Sequence, residues 1–277
     1  MMFKTRLLSG IVIAIVMIGF TYLGGACLAA ILLAASLIGM FEFYRATGVL
    51  ADGVRIDRVT GIAYVFTALY YVLIYLCSQS MLILVFTTVV FLLVLLATYV
   101  FTFPKFNAKD IVLTFYGFFY VGVMISFMYL TRSLPDGKFI AWLILAASWL
   151  CDVFAYATGM LFGKHRLCPN LSPKKSVEGA VGGIVLPAIV AGVFAHLISP
   201  YFTPGYNVVP VFMLLTAIGA AASQLGDLSA SAIKRNHDIK DYGNLIPGHG
   251  GILDRFDSMI FVAPLIYFIA VCFTKGL

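Results

Sequence analysis

The chain has 277 residues, of which 62% are hydrophobic and only 11% charged, with a net charge of +6. Soluble domains carry about 25% charged residues, so this composition excludes a water-soluble globular fold, and the continuous rather than alternating apolar runs exclude a β-barrel. It fits an all-α, polytopic membrane bundle, in which surplus lysine and arginine mark loops on one side of the bilayer instead of a nucleic-acid surface.

A span needs about 20 apolar residues to cross about 30 Å of hydrocarbon. On that basis helices are expected near 7–22, 26–41, 60–78, 81–103, 111–131, 139–162, 179–198, 208–230 and 256–274. Lys4 and Arg6 precede the first apolar run as they would in a signal peptide, but the run continues past Gly24-Gly25 to Met40 without a cleavage context, so two retained helices are expected. Nine spans put the termini on opposite faces. With the N-terminus inside, only Arg132, Lys138 and Lys275 of the 18 lysines and arginines fall outside. The charge-rich loops 163–178 and 231–255 then share the cytoplasmic face of a multi-pass protein of the cell membrane. We expect one integrated membrane domain, with residues 1–138 as scaffold and 139–277 as the catalytic region. The five cysteines are scattered in or beside apolar segments without ligand spacing, which fits packing roles in a reduced or lipid-facing setting.

Asp152 is expected about 15 Å from the cytoplasmic end of its span at 1.5 Å per residue. Tyr156 and Gly159 continue its helical face. A proton relay and an interhelical hydrogen bond both account for an acid there. In the next loop, Ser172, Lys174, Lys175 and Ser176 precede a helix start. A lysine pair at a membrane edge is ordinarily an anchor, but beside serines and free backbone N–H groups it also makes a phosphate cradle. Gly179 and Gly183, four apart, suit close helix packing. Asp227 lies near the cytoplasmic end of the following span, where an acid is costly and by default functional.

The densest stretch is Ser231 to Ser258, SAIKRNHDIKDYGNLIPGHGGILDRFDS. It holds Ser231, Lys234, Arg235, Lys240 and Arg255 with Asp238, Asp241, Asp254 and Asp257, and the run Pro247-Gly248-His249-Gly250-Gly251 has too much backbone freedom for a helix. Asp254 and Asp257, three apart at the start of the last span, project from one helix face, where the helix N-terminus favours negative charge. Asp227 approaches from the preceding helix, so three carboxylates can converge, an oxygen-only set suited to Mg²⁺ with substrate phosphate completing the shell. For Asp238 and Asp241, simple pairing with neighbouring cations weighs as much as a binding role. His237 and His249 lack the spacing of a zinc motif; His249 is placed either to donate to a phosphate or to satisfy its loop.

This stretch resembles the signature of the phosphatidate cytidylyltransferases (CDP-diacylglycerol synthases), Ser-x-x-Lys-Arg, Lys-Asp, Pro-Gly-His-Gly-Gly, Asp-Arg-x-Asp, element for element and in order. Two further blocks resemble the same family: Asp152-x-x-Ala155-Tyr156-x-x-Gly159 with Phe162-Gly163-Lys164, and Ser172-Pro173-Lys174-Lys175 with Glu178-Gly179. The resemblance covers residues 152–258. It implies transfer of CMP from CTP to phosphatidic acid in the bilayer, giving CDP-diacylglycerol and pyrophosphate, with Mg²⁺ alone or with a second cation, in a homodimer. It implies metal binding at Asp227, Asp254 and Asp257. Phosphate or nucleotide contacts are implied at Lys174, Lys175, Ser231, Lys234, Arg235 and Lys240, with Asp152, Tyr156, Ser172, Asp241, His249 and Arg255 also in the substrate site. Gly248, Gly250 and Gly251 let the backbone approach the substrate.

Without the resemblance, the residues themselves reach metal-assisted phosphate chemistry at a membrane face. Two other readings are open: a cytidylyltransferase for a different lipid phosphate, such as an archaeal ether lipid, and an ion-coupled transporter using Asp152 and Asp227. Against the transporter, the charges cluster in one half and in loops on one face, without matching halves.

Overall fold

The computed structural model describes residues 2–50, 54–77, 81–169, 171–202, 207–248 and 250–275. Among them are nine helical rods: α1 (Met2–Leu23), α2 (Gly25–Ala46), α3 (Arg58–Leu76), α4 (Met81–Thr102), α5 (Ala108–Arg132), α6 (Gly137–Phe162), α7 (Val177–Ile198), α8 (Val208–Asn236) and α9 (Leu253–Lys275). Eight, α2 to α9, are long and apolar enough to cross a membrane, and Ser9–Leu23 of α1 is apolar as well. The protein is an all-α polytopic membrane protein. Its only strands among the described residues are β1 (Arg166–Cys168) and β2 (Ser172–Ser176), an antiparallel hairpin between α6 and α7.

Helix starts follow local capping. Asp57 and Thr60 form a reciprocal capping box at α3, as do Asn107 and Asp110 at α5, and the Ser176 hydroxyl accepts from the Gly179 N–H at α7. Helix ends depart from expectation where charge is carried into the rod. α2 runs to Ala46 instead of 41, so Glu42 and Arg45 are helical. α8 runs to Asn236 instead of 230, with Lys234 and Arg235 in its last turn, where cations complement the helix dipole. Two π-helical stretches, Phe118–Val123 in α5 and Ala146–Leu150 in α6, interrupt the regular ladder.

The chain forms two compact units. The first comprises Met1–Tyr129 with His237–Arg255, the second Leu130–Asn236 with Phe256–Leu277. The 237–255 loop, beyond the division expected at residue 138, thus belongs with the N-terminal helices. The first unit is packed with aromatic side chains: Phe43, Tyr44, Tyr70, Phe91 and Phe118 are all buried. Their polar ends are satisfied, with Tyr44 donating to the Thr114 carbonyl (2.8 Å) and Tyr70 sharing a hydrogen bond with Ser126 (2.7 Å). The second unit is packed through small residues. A β-carbon on Gly179 would lie 2.7 Å from the Ala155 carbonyl oxygen, and one on Gly183 would lie 2.8 Å from the Ala155 methyl, so α6 and α7 meet at backbone distance.

Candidate active site

In the second unit, α8 and α9 approach at Gly226, where a β-carbon would lie 2.8 Å from the Asp257 carbonyl oxygen. Within the same unit, Asp257 lies in electrostatic range of Asp227, Lys234 and Asp152. Asp257 and Lys234 are both buried, at 7% and 9% exposure. Asp257 accepts a hydrogen bond from the Ser258 N–H at 2.8 Å. Asp227 is half-buried and forms an ion pair with Lys175 at the end of β2. Lys175 is not among the partners that the sequence suggests for Asp227; the hairpin brings it there.

Beside this cluster is a cavity of about 380 Å³, within the usual range for small-molecule sites. Asp152, Tyr156 and Gly159 of α6 line it together, as their shared helical face predicts, with Lys174 and Lys175 of the hairpin. Arg166 and Gln224, absent from the sequence-derived set, line it too. Gln224 is fixed by donating to the Ala180 carbonyl at 2.9 Å, and the hairpin is anchored by Glu178. The Glu178 carboxylate accepts from the Lys164 N–H (3.0 Å) and contacts the His165 ring (2.6 Å). Ser231 is half-buried on α8, and Arg235 is exposed at its end. Ser172 is half-buried in β2.

The glycine-rich loop belongs to the first unit, where carboxylates hold it by its backbone. Asp254 Oδ2 accepts from the Tyr242 N–H (2.8 Å) and the Gly251 N–H (2.9 Å). Glu42, 3% exposed on α2, accepts from the Ile252 N–H (Oε1, 3.1 Å) and the Leu253 N–H (Oε2, 2.8 Å). Arg45 donates to the Tyr242 carbonyl at 2.7 Å, and the Ile246 N–H bonds the Gly250 carbonyl at 2.9 Å. Gly250 (φ +84°) and Gly248 (φ +79°) take left-handed turns. Gly243 and Gly251 lie so close to the Glu42 carboxylate that any β-carbon there would overlap it. Lys240 and Asp241 are exposed, and Arg255 Nε is buried without a hydrogen-bond partner among the described residues. His249 lies outside the described residues.

Glu42 is the principal residue that the sequence reading missed. The signal was available: an acid in an otherwise apolar helix is costly unless partnered, but ending α2 at 41 left Glu42 outside the span. Among the described residues no three His, Cys, Asp or Glu side chains are gathered as a ready-made metal site. The donor chemistry nonetheless fits a hard divalent cation, because Asp227 and Asp257 are neighbouring carboxylates in a partly buried setting, and such cations take few protein ligands beside substrate phosphates.

Fold and site together define a polytopic membrane protein whose polar site is built from interacting acids and bases beside a cavity. The chain belongs to the cytidylyltransferase family, whose sequence profile matches residues 4–273. It is 40% identical over 159 residues to the phosphatidate cytidylyltransferase of Bacillus subtilis (strain 168), covering 56% of each chain. It is 39% identical over 163 residues to the phosphatidate cytidylyltransferase of Staphylococcus haemolyticus (strain JCSC1435), covering 58% of this chain and 60% of that one. The chain thus spans little more than half the length of these curated relatives.

Proposed function

We propose that the chain transfers CMP from CTP to phosphatidic acid, forming CDP-diacylglycerol and pyrophosphate at the cytoplasmic face of the cell membrane. The observation that carries this reading is the cluster of Asp152, Asp227, Asp257, Lys175 and Lys234 beside a cavity that also presents Lys174 and Arg166. Bringing two polyanions together requires cations at the point of contact, and a family relation to named phosphatidate cytidylyltransferases supplies the substrate pair.

In this mechanism a phosphate oxygen of phosphatidic acid, already ionised near neutral pH, attacks the α-phosphorus of CTP. The bond from that phosphorus to the bridging oxygen breaks, and pyrophosphate leaves. No strong general base is needed, so the chain's work is positioning and charge neutralisation. Lys174, Lys175 and Arg166 bind phosphate oxygens at the cavity. Lys234 balances Asp257 within the bilayer-facing protein. Asp227 and Asp257, with Asp254 as the motif implies, would hold Mg²⁺, which when bound neutralises developing charge on the transferred group. Glu42 fixes the backbone of the glycine-rich loop. A homodimer, implied by the family, belongs to the same proposal.

The test is product formation by purified protein in mixed micelles containing phosphatidic acid, labelled CTP and Mg²⁺, with EDTA as control. CDP-diacylglycerol is expected only with metal present. A folded sample that gives no product would overturn the proposal, and other lipid phosphates followed by transport assays would then be tried.

A further inference from the structure

We propose that the first unit carries a separate binding site for an anionic phospholipid, seated in the groove between α3 and α4 with its headgroup on Arg55, Arg58 and Lys105. Of the eight candidate spans, α4 is the least buried within the protein: only 17% of its apolar window is buried, against 67% for α5. Where it packs beside α3 the surface is concave. Val65, Phe66, Val94, Ala97 and Phe101 line an apolar groove of about 720 Å³, with Arg58 at one end.

Arg58 also lines a second hollow, of about 780 Å³, together with Arg55 and Lys105. The apolar groove and the cationic hollow therefore adjoin at Arg58. Two acids, Asp57 and Asp110, lie in the same hollow, but both are engaged as helix caps. Asp57 Oδ1 accepts from the Thr60 N–H and hydroxyl, each at 2.9 Å, and Asp110 Oδ2 accepts from the Asn107 N–H at 3.0 Å. Among the described residues Arg55, Arg58 and Lys105 form no ion pair. Three exposed cations against two capping carboxylates leave the hollow with a net positive charge, which attracts an anion.

Depth identifies the occupant. Eight residues separate Arg58 from Phe66 on α3 and Val94 from Thr102 on α4, about 12 Å of helix at 1.5 Å per residue. That matches most of one leaflet, about 15 Å of the hydrocarbon core. A free phosphate would leave the groove unused, and a neutral lipid would leave the cations unused. A lipid with an acidic headgroup uses both. None of these residues lies in the sequence blocks that define the proposed reaction, so the site is distinct in composition from the substrate cavity.

The test uses purified full-length protein and native mass spectrometry with equimolar phosphatidylglycerol and phosphatidylcholine. The wild type is expected to retain phosphatidylglycerol at least fivefold over phosphatidylcholine. The triple variant Arg55→Gln, Arg58→Gln, Lys105→Gln should bring that ratio close to one. Ala97→Trp, which fills the groove and leaves the cations in place, should reduce phosphatidylglycerol retention severalfold, with circular dichroism checking that each variant is folded. Equal retention of both lipids by the wild type, an unchanged preference in the triple variant, or full retention by Ala97→Trp would each overturn the proposal. So would displacement of the bound lipid by millimolar glycerol 3-phosphate, which would reduce the site to a bare phosphate contact.

Discussion

The glycine-rich loop of the first unit and the hairpin region of the second are both dense in charge, yet they use it in opposite ways. In the loop, Glu42 and Asp254 accept four backbone N–H groups, from Tyr242, Gly251, Ile252 and Leu253. Charge there fixes the path of the chain, and its partners carry no charge to exchange. Around the second unit's cavity, acids meet bases: Asp227 pairs with Lys175, and Asp257 interacts with Asp227 and Lys234. A side-chain pair of that kind can be reopened by a competing phosphate or cation. Holding and exchanging are separable functions, and substitution can tell them apart.

The largest effect is expected at the exchanging site. Asp257→Asn should lower kcat by about a thousandfold, ~4 kcal/mol of transition-state stabilisation, with helical content unchanged by circular dichroism. Asp254→Asn sharpens the contrast, because the asparagine carbonyl oxygen can still accept both N–H groups that Asp254 Oδ2 now takes. The loop should stay as resistant to proteolysis as in the wild type while turnover is lost to a similar degree. Near-normal turnover in Asp254→Asn would refute its metal assignment and leave Asp254 a loop-holding residue.

Glu42→Gln addresses the holding side alone. The two carboxylate oxygens each accept one N–H, and an amide would set a donor against one of them, at a cost of about 1–3 kcal/mol for the unsatisfied buried group. We expect a ten- to hundredfold fall in kcat/KM together with faster proteolytic nicking within residues 237–255. Unchanged nicking with unchanged kinetics would show that the loop keeps its shape without Glu42.

The contrast also explains what was legible in the sequence. Long apolar runs announced the helices, because crossing hydrocarbon demands them, and Asp152, Tyr156 and Gly159 shared a face as helical spacing requires. The ends of α2 and α8 were less readable, since counting apolar residues stops at the first charge while a partnered charge lets the helix continue. Glu42 bonds backbone groups 210 and 211 residues away, and a backbone N–H carries no residue identity for a motif to record. Gly243 and Gly251 acquire a physical reason only once Glu42 is known to lie against them. The hairpin escaped notice because Ser172–Ser176 is a polar, lysine-rich strand without apolar alternation.

The smallest expected effect is the most direct probe of exchange. Lys175 and Asp227 are each between a quarter and a third exposed, and pairs of that kind contribute about 0–1 kcal/mol to stability. Lys175→Gln should therefore leave thermal stability nearly unchanged. If Lys175 leaves Asp227 to bind a phosphate when CTP enters, the variant loses that contact in the bound state and in the transition state alike. KM for CTP should then rise about three- to tenfold, ~0.6–1.4 kcal/mol, with little change in kcat. A fall in kcat as deep as that of Asp257→Asn, at unchanged KM, would mean that Lys175 acts only in the transition state. An unchanged KM and kcat would mean that its pairing with Asp227 is structural, and that Lys174 and Arg166 alone supply the cavity's working charge.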